Sequence, residues 1–184
     1  MKSIKPFIRI SLTHLKWNIE RKEMNIYLIR HSDSESISKG LKDFERKLTP
    51  YGELKIRNAS LFWKNLIPEF DYIFSSPYLR AIQTSKIIAS TYNYKKEIIV
   101  DKRLGCGSET ESLFEILNSF QSGDIAIVGH QPDLSNHISR LISDEGISIE
   151  FKKGAIAKIF FSNKVREGKG ILEYLVPPGF FIPK

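Results

Sequence analysis

Four residues of this chain could together handle a phosphoryl group, and each is tied to the end of a short apolar run. Arg30 and His31 belong to "IYLIRHSDSES", where β-branched, aromatic and aliphatic side chains give way after His31 to small, polar and acidic ones. That change reads as a strand running into a loop. In open parallel sheets ligands bind in the crevice at the carboxyl ends of the strands. Arg80 lies in "SSPYLRAIQT", in the first turn of an expected helix, where free N–H groups and the helix dipole favour an anion. His130 lies in "VGHQPDLS", just past another apolar run. Taken singly, each residue also has a plain reading: a solvated turn pair, a surface helix charge, a capping or core-edge histidine. Gathered at one rim, two fixed cations and two imidazoles suit a tetrahedral oxyanion such as phosphate.

Such a rim needs strands and helices in alternation. The pattern gives strands at Asn25 to Arg30, Tyr72 to Ser75, Glu97 to Val100, Asp124 to Gly129, Ala155 to Phe161 and Ile171 to Val176, with amphipathic stretches between the earlier ones. "TPYGELKIRNASLFWKNL" offers Thr49 as N-cap and Pro50 at the first helical position, and places Leu54, Leu61, Phe62 and Leu66 on one side as its apolar face. A second helix is expected after Ser76 with Pro77 opening it, and two more in "ETESLFEILNSF" and "PDLSNHISRLIS". No helix fits between the last two strands, so they should form a hairpin at the sheet edge. The expected fold is an α/β three-layer sandwich with a mostly parallel central sheet flanked by helices.

At 184 residues the chain fits one domain with a short extension. A hydrophobic share of 41% and a charged share of 27% are those of a soluble globular protein. One cysteine, Cys106, allows no internal disulfide, which suits a reducing compartment, and the expected location is the cytoplasm. No run is long enough for a membrane span. The formal charge of +7 hints at nucleic acid, yet residues 1–23 alone carry six cations against two anions, leaving less of the excess on the rest. That opening segment reads as a basic extension ahead of a domain over 24–184; a membrane-surface helix and a transit-like segment are its other readings. No recognised nucleic-acid motif occurs, and no nucleic-acid partner is expected.

The motifs "LIRHSDS", "LTPYG", "SSPYLRAIQT" and "VGHQPDLS", in this order, resemble those of the histidine phosphatase superfamily, also called phosphoglycerate-mutase-like. The short domain and the form "RHSD" are most similar to its small phosphohistidine phosphatase branch, the SixA type. The resemblance implies that His31 is the nucleophile that becomes phosphorylated, that Arg30 and Arg80 bind the phosphate, and that His130 hydrogen-bonds the transferring group. Ser32 stands where the superfamily usually has glycine, and is expected to touch the phosphate. No cofactor or metal is expected: the cations can offset charge on the equatorial oxygens, and a neutral imidazole can attack phosphorus without a base.

Many members carry a glutamate after the position matching Leu104 to protonate the leaving group. Here Gly105 and Cys106 take that place, and Glu109 and Glu111 read as first-turn acids of the next helix. An alkoxide leaving group needs such an acid more than an imidazole does. The expected substrate is therefore phosphohistidine in a partner protein, acted on by a monomer. The alternatives are small phosphate esters, with Glu109 or Glu111 as acid, and a catalytically weak phosphate- or phosphoprotein-binding module.

Overall fold

The computed structural model describes residues 23–180. Strand β1 (Met24–Arg30) explains the layering: its side chains alternate between two cores. Ile26 and Leu28 face one cluster, with Leu113, Leu117, Ile125, Ile127 and Ile138. Tyr27 and Ile29 face the other, with Ile56, Trp63, Ile73, Ile88 and Val128. A strand buried on both faces reads as a continuous apolar run, as this one does.

The remaining elements are α1 (Pro50–Trp63), β2 (Tyr72–Ser75), α2 (Leu79–Tyr92), β3 (Ile99–Val100), α3 (Thr110–Asn118), β4 (Gly123–Gly129), α4 (Asp133–Ile142), β5 (Ile156–Phe161) and β6 (Ile171–Val176). The sheet order is β3-β2-β4-β1-β5-β6. Strands β3, β2, β4 and β1 are parallel; β5 runs antiparallel to β1 and forms the edge hairpin with β6. Residues of α1 and α2 fill one core and those of α3 and α4 the other, giving the expected three layers. Among the described residues no helix is long and apolar enough to cross a membrane. The expected extension over residues 1–23 lies, apart from Glu23, outside the described residues.

Three local expectations need correction. Thr49 does cap α1, accepting from the Gly52 N–H at 3.0 Å. The buried face of α1 is Gly52, Ile56, Ala59, Ser60 and Trp63, however, whereas Leu54, Leu61, Phe62 and Leu66 are exposed. Small residues let the helix approach its neighbours closely: a Cβ on Gly52 would collide with the Asp33 carbonyl. Helix α2 opens at Leu79, not Pro77, because Tyr78 is extended (φ −73°, ψ 135°) and hands its N–H to Ser76 Oγ at 3.3 Å. Strand β3 is two residues long, not four. It pairs with Phe74 and Ser75 only, and the chain then turns into Lys102–Leu104.

Candidate active site

Parallel strands β1, β2 and β4 end on one rim: Arg30 closes β1, His31 and His130 follow β1 and β4 directly, and Arg80 lies in the first turn of α2, the helix after β2. The His31 N–H donates to the Gly129 carbonyl at 3.1 Å, so the histidine is held as a continuation of the β1–β4 ladder. His31 is buried, at 6% exposure, and its Nδ1 lies 2.7 Å from the Ser32 carbonyl oxygen. A carbonyl can only accept, so Nδ1 carries the hydrogen and Nε2 keeps its lone pair. Arg80 Nε donates to that Nε2 at 3.2 Å, in agreement with this tautomer. Burial pushes the His31 pKa down to about 3, with the positive neighbours Arg80 and Arg30 and His130 adding to it against the Ser32 hydrogen bond. The imidazole is neutral at ordinary pH.

His130 sits opposite, with ring centroids 5.2 Å apart. Its Nε2 is 2.6 Å from Ser76 Oγ. Because Ser76 Oγ already accepts from Tyr78, its own hydrogen can go to His130 Nε2, leaving Nδ1–H as a donor. That Nδ1 is buried without a partner. Burial, then the charge of Arg80, pushes the His130 pKa down to about 3 as well.

Arg80 is 3% exposed and stacks on Tyr78, its guanidinium carbon 4.9 Å from the ring centre. Arg30 Nη1 donates to the Phe151 carbonyl at 2.8 Å, while its Nε is buried with no partner. Ser32 is fully buried; its N–H donates to Thr84 Oγ1 at 3.2 Å, and its own Oγ has no partner. Buried polar atoms without partners are uncommon, and three of them, on Arg30, Ser32 and His130, belong to residues of this rim. The rim can therefore receive a compact group rich in acceptor oxygens, beside a nucleophilic nitrogen.

The structure brings Arg30, His31, Ser32, Arg80 and His130 together. Glu109 is an exposed N-cap of α3 without a side-chain cap bond, and the Glu111 carboxylate is taken up in a surface pair, accepting from Arg140 Nη1 at 2.6 Å. Cys106, where the acid would stand, has its Sγ 3.4 Å from Arg80 Nη2. The carboxylates bordering this corner are instead Asp43, on Arg80, and Asp133, whose Oδ2 accepts from the Gly107 N–H at 2.9 Å. Neither was expected from the sequence, nor were Ser76 and Thr84. Ser76 is within a motif already singled out; Thr84 is one turn after Arg80 on α2; Asp43 has no sequence signal. Among the described residues no group of three or more His, Cys, Asp or Glu is placed to hold a metal ion.

This arrangement has a family counterpart. Residues 26–105 match the histidine phosphatase superfamily, branch 1. That span contains Arg30, His31 and Arg80. The fold is shared more widely than that span: the chain superposes on the protein histidine phosphatase SixA complexed with tungstate at a TM-score of 0.74, with 22% identity over 85% of this chain and 99% of that one. A phosphoserine phosphatase variant from Entamoeba histolytica, in complex with phosphoserine, superposes at 0.66 with 18% identity, over 86% of this chain and all (100%) of that one. An uncharacterized protein of Picosynechococcus is 27% identical over 136 residues, 72% of this chain and 82% of that protein.

Proposed function

We propose that this chain is a metal-independent phosphatase that passes the phosphoryl group through His31, with phosphohistidine in a partner protein as its substrate. The observation that carries the reading is the tautomer of His31, with Nδ1–H on the Ser32 carbonyl and the lone pair on Nε2, where it accepts the Arg80 Nε–H, a donor that a phosphoryl oxygen can take over. In the first step Nε2 attacks phosphorus as the substrate's P–N bond breaks, and the substrate ring, already protonated on its other nitrogen, takes the bonding pair and leaves as neutral imidazole. In the second, water attacks the phosphohistidine, releasing phosphate and restoring neutral His31. Arg30, Arg80, the Nδ1–H of His130 and the Ser32 hydroxyl hold the phosphoryl oxygens through both steps, so that catalysis is mainly positioning and charge stabilisation.

The choice of phosphohistidine follows from the leaving group. Glu111 is engaged by Arg140 and Glu109 is exposed, while general acid assistance is typically worth about 10²–10⁴-fold for a poor leaving group. A second reading, small phosphate esters, draws on the buried carboxylate Asp133, next to Gly107. A substrate panel on the purified chain separates the two. Phosphoramidate and activated aryl phosphates should turn over readily and alkyl phosphates slowly. His31→Ala should abolish turnover and the acid-labile, base-stable label, and Glu109→Gln and Glu111→Gln should stay within roughly threefold, far below a general-acid effect. Full turnover by His31→Ala refutes the covalent route; a steep loss in either glutamine variant, with the fold intact, moves the substrate to esters.

A further inference from the structure

The donors of Arg80 are divided in a way that phosphate binding alone does not require. A guanidinium offers two forks, one from Nη1 with Nη2 and one from Nε with Nη2. Asp43, in the turn Asp43–Glu45, fills the first: its carbonyl oxygen accepts from Nη1 at 2.7 Å and its carboxylate Oδ2 from Nη2 at 3.0 Å. The other carboxylate oxygen, Oδ1, is held by Arg46, from Nε at 2.8 Å and Nη2 at 2.7 Å. Arg46 is in turn anchored through Nη1 on the Glu35 carbonyl at 2.8 Å. The second fork of Arg80 faces the reacting atoms, with Nε on His31 Nε2 and Nη2 near Cys106 Sγ.

We infer that Asp43 is a positioning residue: by occupying the Nη1–Nη2 fork it turns the Nε–Nη2 fork of Arg80 onto the phosphoryl oxygens beside His31. The inference rests on the phosphatase reading of the pocket. A carboxylate beside a phosphate site is otherwise a disadvantage, because it repels the incoming oxyanion. Its bonds to two arginines offset that charge, and what remains is direction. A planar fork aimed elsewhere keeps its charge and loses its bidentate contact. The backbone carbonyl of Asp43 adds a constraint that no side-chain substitution removes, so the carboxylate's share can be measured with the turn in place.

The test is a double-mutant cycle on the full chain, with orthovanadate as the oxyanion probe and phosphoramidate turnover measured alongside. In the native background Asp43→Ala should weaken vanadate binding at least about tenfold, as expected for loss of a charge-assisted bidentate contact. In an Arg80→Lys background, which keeps a cation but has no fork, the same change should matter by less than about twofold. A merely structural role for Asp43 would lower both backgrounds alike. Asp43→Asn, which keeps size and an acceptor oxygen, should fall between and covers the case in which the alanine variant folds poorly. Equal losses in the two backgrounds would overturn the inference, as would tighter vanadate binding in Asp43→Ala. If the unmodified chain binds vanadate but turns over no substrate, the phosphatase reading fails while the cycle still decides the role of Asp43; turnover without coupling removes Asp43 alone.

Discussion

At the scale of the residue, the proposed chemistry depends on an imidazole that stays neutral. His31 and His130 are both held near 3 by burial and by neighbouring arginines, against an ordinary value of 6.5. The expected outcome is that phosphorylation of His31 by a small phosphodonor, once corrected for the donor's own ionisation, shows no transition near pH 6.5 between pH 5 and 8. Rapid-quench labelling measures this, and a sigmoid centred near 6.5 would mean that an exposed, titrating imidazole does the work. Arg30, His31, Arg80 and His130 were legible in the sequence because each is tied to the end of an apolar run, and strand ends are where a parallel sheet displays side chains. Asp43 was not. It lies in "KGLKDFERK", a charged loop without periodicity, where nothing in the order of residues tells an inward carboxylate from a solvated one.

At the scale of the element, α1 shows where pattern reading fails. Its start was legible from Thr49 and Pro50, its buried face was not, because a count of large apolar residues picks Leu54 and Leu61 while close packing picks Gly52 and Ala59. Gly52→Ala makes the difference measurable. Helix propensity alone favours alanine by about 1 kcal/mol, but the new methyl would meet the carbonyl of Asp33, which also accepts the Thr49 N–H at 3.0 Å. We expect a net loss of about 1–3 kcal/mol, typical of overpacking, seen as a lower urea midpoint. Turnover should fall with it, since Asp33 is two residues from His31. Leu54→Lys should instead leave stability within about 0.5 kcal/mol, as surface changes do; the reverse ranking would mean the helix face has been misassigned.

At the scale of the whole molecule, burying neutral histidines couples stability to pH. His137 joins the two at the rim: it is 1% exposed, lies between Ser108 Oγ (3.0 Å) and Thr110 Oγ1 (2.9 Å), and is pushed down to about 4, first by burial. Above pH 6.5 these three histidines are neutral whether the chain is folded or not. As pH falls below 6.5 the unfolded chain takes up protons that the folded chain refuses until about pH 4 and 3, so stability is lost on acidification. Each histidine contributes a slope of roughly 1.4 kcal/mol per pH unit in that window. Urea unfolding at pH 7.5, 6 and 5 should give steadily lower stability, and a flat response from 7.5 to 5 would contradict this. The edge place of the β5–β6 hairpin was legible in the sequence, because no helix fits between those two runs, but the order of the parallel strands was not, since their apolar runs are alike and only the packed sheet shows which are innermost.

That central place has its own consequence. Strands β1 and β4 pair over seven residues in the middle of the sheet, and His31 and His130 are the next residue on each. The amide hydrogens of Leu28, Arg30 and His31 should therefore exchange with deuterium only through disruption of the sheet as a whole, while those in the loop over residues 35–47 exchange through local opening. The two imidazoles are thus carried by the part of the molecule that comes apart last. On heating, the pocket's partner in the loop, Asp43, which Arg46 holds through its other carboxylate oxygen, should let go of Arg80 first, so oxyanion affinity should decline at temperatures where the histidines still face each other.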